Sequence, residues 1–224
     1  MFFLGLQKTT LIDYPGIVAA TVFLPGCNLR CPYCHNPELI TGKKTNGMID
    51  AGEFKNFLNK RRNVLGGVCI SGGEPTIHEN LSEIIDLIHS SGLKVKIDTN
   101  GTRPEILRQL EVDFIAMDLK TSSGKYPLLG FGEKKKIIES VNWIKSSGIP
   151  HMFRTTIVPE IVTEKDFSDI LDMVENSELL SITNFNPKIT LDPEFSRIKP
   201  YDIDFLEKLK KMAGEKNIRC VIRK

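Results

Sequence analysis

Apolar runs of strand length alternate with helical stripes along this whole chain, and that alternation limits the fold before any single residue is weighed. Val18–Leu24, Gly67–Ser71, Lys94–Thr99, Phe114–Lys120, Met152–Val158 and Leu180–Phe185 read as strands, with a terminal candidate at Ile218–Ile222. Between them, Leu81, Ile84, Ile85 and Ile88 share one helical face, as do Ile137, Ile138, Val141 and Ile144. Phe167, Ile170, Leu171 and Val174 make a third stripe, and Phe205, Leu206, Leu209 and Met212 a fourth. Ser91-Gly92 and Ser147-Gly148 are helix stops, while Thr163-Glu164-Lys165-Asp166 opens a helix with a capping box. Repeated strand–helix units predict a parallel sheet with right-handed crossovers. About six units fall short of the eight that close a barrel. The expected fold is therefore α/β, a partial (β/α)6 TIM-like barrel of parallel strands, open on one side. No repeat, low-complexity segment or linker marks a boundary, so residues 1–224 are expected to form a single domain.

In such folds chemistry gathers at the carboxyl ends of the strands. Polar residues fall there: Ser71-Gly72-Gly73-Glu74-Pro75, then Asp98-Thr99-Asn100-Gly101, then Asp118-Leu119-Lys120, and Arg154 ahead of Val158-Pro159. Side-chain alternation sets Asp118 and Lys120 opposite Ile115, Met117 and Leu119, which points them to the interior. Arg154 falls inside by the same rule, where a charge persists only with a counter-charge. Asp98 is less clean, since it shares a face with Lys94 and Lys96. Singly, each of these residues has a plain structural reading: a strand-ending turn at Gly72-Gly73, a buried pair at Asp118 and Arg154.

The loop at 25–37, after the first core strand, carries Cys27, Cys31 and Cys34 within eight residues, behind a Pro25-Gly26 turn. Thiolate is the soft ligand that cluster iron requires, and three on one loop can hold three corners of a [4Fe–4S] cube. One iron then lacks a protein ligand, which separates a catalytic cluster from an electron carrier. Other readings stand beside it. Cys31-Pro32-Tyr33-Cys34 alone would serve as a redox dithiol, and with His35 it meets the short pattern for haem attachment. A dithiol needs no third cysteine upstream and normally opens a helix, which Pro37 disfavours. Zinc, with His35 or a distant fourth ligand, is the stronger alternative. Cys69 and Cys220, isolated in strand-like runs, read as core. A net charge of +2 offers no electrostatic case for nucleic acid. No apolar run reaches the ~20 residues of a membrane helix, and the start has no basic leader or long apolar stretch. Five cysteines without a disulfide pattern fit a reducing compartment, so the expectation is a cytoplasmic protein.

Together, the Cys27, Cys31 and Cys34 spacing and Gly72-Gly73-Glu74-Pro75 resemble the radical S-adenosylmethionine enzymes, in which a C-x3-C-x2-C loop precedes a Gly-Gly-Glu-Pro segment on a partial barrel. Within that superfamily the chain is similar to activases of glycyl radical enzymes. The opening Gly5-Leu6-Gln7-Lys8-Thr9-Thr10-Leu11-Ile12-Asp13-Tyr14-Pro15-Gly16 and the tail Cys34-His35-Asn36-Pro37-Glu38-Leu39 look like the anaerobic ribonucleoside-triphosphate reductase activating proteins. Pyruvate formate-lyase activating enzymes share the Cys-His-Asn-Pro tail and the Asp-Thr-Asn-Gly and Asp-Leu-Lys strand ends.

The resemblance implies that Cys27, Cys31 and Cys34 hold a [4Fe–4S] cluster whose open iron takes the amine and carboxylate of S-adenosylmethionine. It implies Arg154 on that carboxylate, Gly72 and Gly73 against the ligand, Glu74 beside the amine and Tyr33 against the adenine. Asp98, Thr99 and Asp118 match positions that hold a monovalent cation in the formate-lyase activases. The reaction implied is reductive cleavage to a 5′-deoxyadenosyl radical, which takes a Cα hydrogen from a glycine of a glycyl radical enzyme. Flavodoxin or ferredoxin is the electron donor implied. Two rivals remain: an enzyme resembling 7-carboxy-7-deazaguanine synthases, acting on a small molecule, and a non-catalytic iron–sulfur electron carrier. Asp13 has two readings, presentation of the glycine or a simple turn.

Overall fold

The computed structural model describes residues 3–40, 47–177 and 179–223. They form two compact units that interleave in sequence. The first comprises Met1–Asn28, Glu38–Thr99 and Glu105–Ile115, and the second Leu29–Pro37, Asn100–Pro104 and Ala116–Lys224.

The first unit is built on β1 (Phe3–Thr10), β2 (Ala19–Leu24), β3 (Ile49–Asp50), β4 (Gly67–Gly72) and β5 (Lys94–Thr99), in the order β3-β1-β2-β4-β5. β2 and β4 run parallel in register from Ala19 opposite Gly67 to Leu24 opposite Gly72, and β4 and β5 are parallel too. Ala19, Ala20, Val22 and Leu24 are fully buried, as are Val68, Cys69 and Ile70. Near-continuous apolar runs are what a parallel sheet covered on both faces demands. β1 returns antiparallel along β2, with a register shift between Gln7 and Thr10, and β3 pairs with its other edge. After the short α1 (Pro37–Ile40), helix α2 (Ala51–Arg61) starts from a capping box in which the Asp50 carboxylate and the Glu53 backbone meet at 2.8 Å. It buries Phe54 and Leu58. Helix α3 (Leu81–Ser90) buries Leu81, Ile84, Ile85 and Ile88, the stripe expected from the sequence.

Past the short α4 (Pro104–Leu107), β6 (Phe114–Asp118) leads into the second unit. There β7 (His151–Ile157), β8 (Leu180–Asn184) and β9 (Cys220–Arg223) follow in the order β6-β7-β8-β9, with β7–β8 and β8–β9 parallel. Its helices are α5 (Lys134–Ser146), α6 (Glu164–Met173) and α7 (Ile203–Glu215). Among the described residues β3 has only β1 as a sheet neighbour and β9 only β8, so the strand order has two ends and the sheet is not closed.

Two stripes differ in detail from the periodicity. In α5, Ile138 is 37% exposed and Ser140 is buried instead, its hydroxyl donating to the Gly101 carbonyl at 2.7 Å. In α7, Ala213 is buried and Met212 only partly, while Phe205 is half-buried and stacks on Tyr201. In α7 the difference is a shift of one position, where an apolar pair at i and i+1 does not say which member faces inward; in α5 the buried position goes to a serine, which an apolar pattern does not register.

Helix α6 begins as expected, with the Thr163 hydroxyl and the Asp166 backbone closing a capping box. The 4%-exposed Asp166 does more. Its carboxylate accepts from the Ser122 hydroxyl at 2.8 Å, the Lys125 ammonium at 2.6 Å, and both the hydroxyl and N–H of Thr163. Burial pushes this carboxyl up, but Lys125, Thr163 and Ser122 outweigh it and hold it down at about 2. A depressed carboxylate stabilises the fold above its unfolded value of ~3.9, and the contribution is lost as pH falls towards about 2. Asp166→Asn is therefore expected to lower unfolding stability by about 2 kcal/mol at neutral pH, with the gap from wild type closing as pH drops below ~3.9. Denaturant titrations of both proteins across that range check it.

Candidate functional site

In the first unit the end of β4 grips the start of the cysteine loop. Gly73 N–H donates to the Leu24 carbonyl and Glu74 N–H to the Gly26 carbonyl, each at 2.9 Å, and Gly26 N–H donates to Leu39. The two glycines make this possible. A Cβ on Gly72, whose φ is +120°, would lie 2.3 Å from the Leu24 carbonyl oxygen. One on Gly73 would lie 1.9 Å from that of Gly26 and 3.2 Å from Cys27 Cβ. The space freed by the absent side chains on this side is filled by the backbone of Leu24 and Gly26. His78, one residue past the turn Pro75–Ile77, holds the Pro25 carbonyl as well. Its Nε2 is buried without a partner, so Nδ1 carries the donated hydrogen, and burial keeps the ring neutral. Sequence reasoning missed His78, and no spacing marks it.

Glu74 is fully buried. Its Oε1 accepts from Thr76 N–H at 3.1 Å, Thr76 Oγ1 at 2.6 Å and Thr99 Oγ1 at 2.7 Å, which ties the turn to the end of β5. The side chains of Glu74 and Thr99 are therefore occupied by the fold. Asp98, beside Thr99, accepts from the Ser71 hydroxyl at 3.2 Å and pairs with the buried Lys96. The Asp13 carboxylate accepts from Thr21 Oγ1 at 2.6 Å, while Ile12 and Asp13 N–H groups donate to Thr10 Oγ1. Next to it Tyr14 is buried against Phe114, and its phenol is pushed up to about 12 by burial first and by Asp113 and Cys69 next. The turn reading of Asp13 is the one these contacts support.

In the second unit the loop from Leu29 to Pro37 is tied at three points. Arg30 N–H donates to Leu129 at 2.8 Å, Asp192 N–H donates to Pro32 at 2.9 Å, and the Tyr33 hydroxyl donates to the Lys120 carbonyl at 3.2 Å. Cys34 N–H closes a turn on the Cys31 carbonyl at 3.0 Å, and residues 31–36 are not helical, as Pro37 predicts. Cys31 is buried, whereas Cys27 of the first unit and Cys34 are half-buried. Tyr33 is 6% exposed, and burial with Cys31 alongside keeps its phenol protonated as a donor. It acts as a strut under the loop. Asp118 accepts from Arg154 Nε at 2.6 Å and Lys120 Nζ at 2.9 Å. Burial would raise its carboxyl, but Arg154 and then Lys120 more than reverse that and hold it far below the usual range. The interior arginine has the counter-charge that alternation demanded.

No three His, Cys, Asp or Glu side chains among the described residues form a ready-made metal centre. The donor chemistry nonetheless suits a thiolate-bound cluster. All five cysteines are thiols, and Cys69 and Cys220 lie in the core as expected, Cys220 pushed up to about 11 by burial. What the sequence offers at 27, 31 and 34 is three soft ligands, and residues 31–36 are not helical.

This grip generates a contrast between two glycines. Gly73→Ala forces the loop away from β4, and overpacking of this kind costs about 1–3 kcal/mol or more. Gly92→Ala, at φ +77° with nothing near its Cβ, meets only the backbone strain of about 1 kcal/mol. Anaerobic iron reconstitution followed by iron analysis is expected to give reduced loading for Gly73→Ala and wild-type loading for Gly92→Ala.

The Radical SAM superfamily pattern matches residues 21–174, which include the three cysteines, the Gly72-Gly73-Glu74 turn, Asp118 and Arg154. A Methanocaldococcus jannaschii protein provisionally named a glycyl-radical enzyme activating enzyme is 34% identical over 98% of this chain and 94% of its own. The pyruvate formate-lyase-activating enzyme of Clostridium pasteurianum is 28% identical over 94% of this chain and 96% of its own. Among solved structures, SuiB of Streptococcus suis with the precursor peptide SuiA superposes with a TM-score of 0.69 at 18% identity. That match covers 91% of this chain but only 48% of SuiB, so it speaks for the fold alone, and the fold is the open α/β arrangement expected from the strand count. The chain belongs to the radical SAM superfamily and, within it, to the group of glycyl-radical enzyme activating enzymes.

Proposed function

We propose that this protein activates a glycyl radical enzyme of the anaerobic ribonucleoside-triphosphate reductase type, as one catalytic domain, in the cytoplasm. The observation that carries the reading is likeness to activating enzymes along more than nine-tenths of both chains. Bound together and given one electron from a donor, a [4Fe–4S] cluster and S-adenosylmethionine would supply methionine and a 5′-deoxyadenosyl radical able to take a Cα hydrogen from a glycine. Cys27, Cys31 and Cys34 would hold the cluster. Around it this chain's residues bind and orient. Gly73 and Glu74 hold the loop by backbone bonds, and the Gly72-Gly73-Glu74 segment would lie against the nucleotide, with Glu74 beside its amine. Arg154, anchored on Asp118, offers its guanidinium to the methionine carboxylate, since a paired guanidinium binds carboxylate well. Tyr33, tied by its hydroxyl to the Lys120 carbonyl, would lie against the adenine.

Asp98, Thr99 and Asp118 are the residues that the resemblance connects with a monovalent cation. Each aspartate already faces lysine or arginine, and Thr99 is bonded to Glu74. Reducing equivalents come from flavodoxin or ferredoxin, as the resemblance implies. No helix of the described residues is long and apolar enough to cross a membrane.

The test is anaerobic. Reconstituted protein, S-adenosylmethionine and a one-electron reductant are expected to yield 5′-deoxyadenosine. Adding the glycyl radical enzyme from the same organism should yield a Cα-radical doublet by electron paramagnetic resonance. Cys31→Ala is expected to abolish both. Deoxyadenosine without any protein radical would move the assignment to a small-molecule substrate, and absence of deoxyadenosine would reject radical chemistry.

A further inference from the structure

Lys96 sits in the middle of β5 with 1% of its surface exposed. An ammonium withdrawn from water persists only where acceptors and a counter-charge replace the lost hydration. Both are supplied within the first unit. Lys96 Nζ pairs with Asp98 Oδ1, two residues on along the same face of the strand. It also donates to the sulfur of Cys69 at 3.4 Å, and Cys69 is its register partner on β4. The Ser71 hydroxyl takes the other oxygen of Asp98. The Asp98 carboxylate stands at the carboxyl end of the strand, 13% exposed, with the ammonium beneath it.

We infer that the Lys96 ammonium is a built-in monovalent cation: it neutralises and orients Asp98 from below, so that this strand end works without a bound alkali-metal ion. The inference rests on the proposed reading of β5 as part of the nucleotide site, but its physical content does not. An ammonium group and a potassium ion carry the same charge and are close in size. A second monocation brought to Asp98 would meet repulsion from Lys96 at short range, in a site where water screens little. Lys96 is thus a positioning residue acting through Asp98. Cutting its side chain back would leave the partly exposed Asp98 carboxylate facing a space of the size of the lost ammonium, which a small cation fits.

Lys96→Ala is the direct test, read by sodium-23 relaxation on protein without cluster or nucleotide, in choline chloride as the inert background. The expected result is one saturable sodium site in the variant beyond any in the wild type, displaced by potassium and by ammonium and not by choline. No gain of a site in the folded variant overturns the inference. If Lys96→Ala does not fold in choline chloride, its folding yield in ammonium chloride at equal ionic strength is the readout; recovery there supports the inference and no recovery overturns it. For the wild type, 5′-deoxyadenosine formation and S-adenosylmethionine affinity are expected to stay within about twofold when choline replaces potassium and sodium. A loss of about tenfold or more, corresponding to a distinct bound ion, overturns it. Sodium binding needs no protein substrate, so it stays interpretable whether or not a glycine proves to be the target.

Discussion

The backbone contact between the end of β4 and the start of the cysteine loop is the constraint on which the rest of the site depends. Two N–H groups, from Gly73 and Glu74, close on the carbonyls of Leu24 and Gly26, and they can do so only because positions 72 and 73 carry no side chain. Six in-register residue pairs between β2 and β4 bring the two strand ends level, so the grip is a direct product of strand register. A loop asked to present thiolates needs such fixing, because a flexible one would lose much of its affinity to ordering.

A second set of bonds does the equivalent work from the other side of the cysteine pattern. Leu129, Lys120 and Asp192 each meet one residue of the loop between Arg30 and Tyr33. The turn carrying Leu129 is itself fastened to α6 through Lys125 and Asp166. Charges are treated in the same way in both units. Asp98 is held by Lys96, and Asp118 by Arg154 and Lys120, so carboxylates at the strand ends are fixed by cations supplied by the protein. Preorganised groups of this kind cost no rearrangement when a ligand arrives.

Much of this was legible in the sequence, for identifiable reasons. The stripe at Leu81, Ile84, Ile85 and Ile88 is unambiguous because every member faces one way, and period-two alternation on β6 and β7 correctly sent Asp118 and Arg154 inward to meet. The antiparallel β1 was missed because Gln7, Lys8 and Thr9 are exposed in succession and show no alternation, and β3 because two residues carry no pattern. The alternation at β5 looked less clean because Asp98 shares its face with Lys94 and Lys96. The rule was right, and the lysine is one of the few that are buried. The glycine pair was recognised as a feature, but its use, backbone against backbone, depends on a register that sequence alone does not state. Glu74 and Tyr33 stood out as polar groups beside the site, and what the sequence could not name are the partners that fix them, Thr99 and the Lys120 carbonyl.

The central claim is that Cys27, Cys31 and Cys34 leave one iron of a bound cube to be completed by the nucleotide. Electron–nuclear double resonance on the reduced, reconstituted protein with S-adenosylmethionine labelled at its amine nitrogen and carboxylate oxygen addresses that coordination directly. Strong hyperfine coupling from both labels is the predicted result. A reduced cluster with no coupling to either, or a preparation that holds zinc in place of iron, would contradict it.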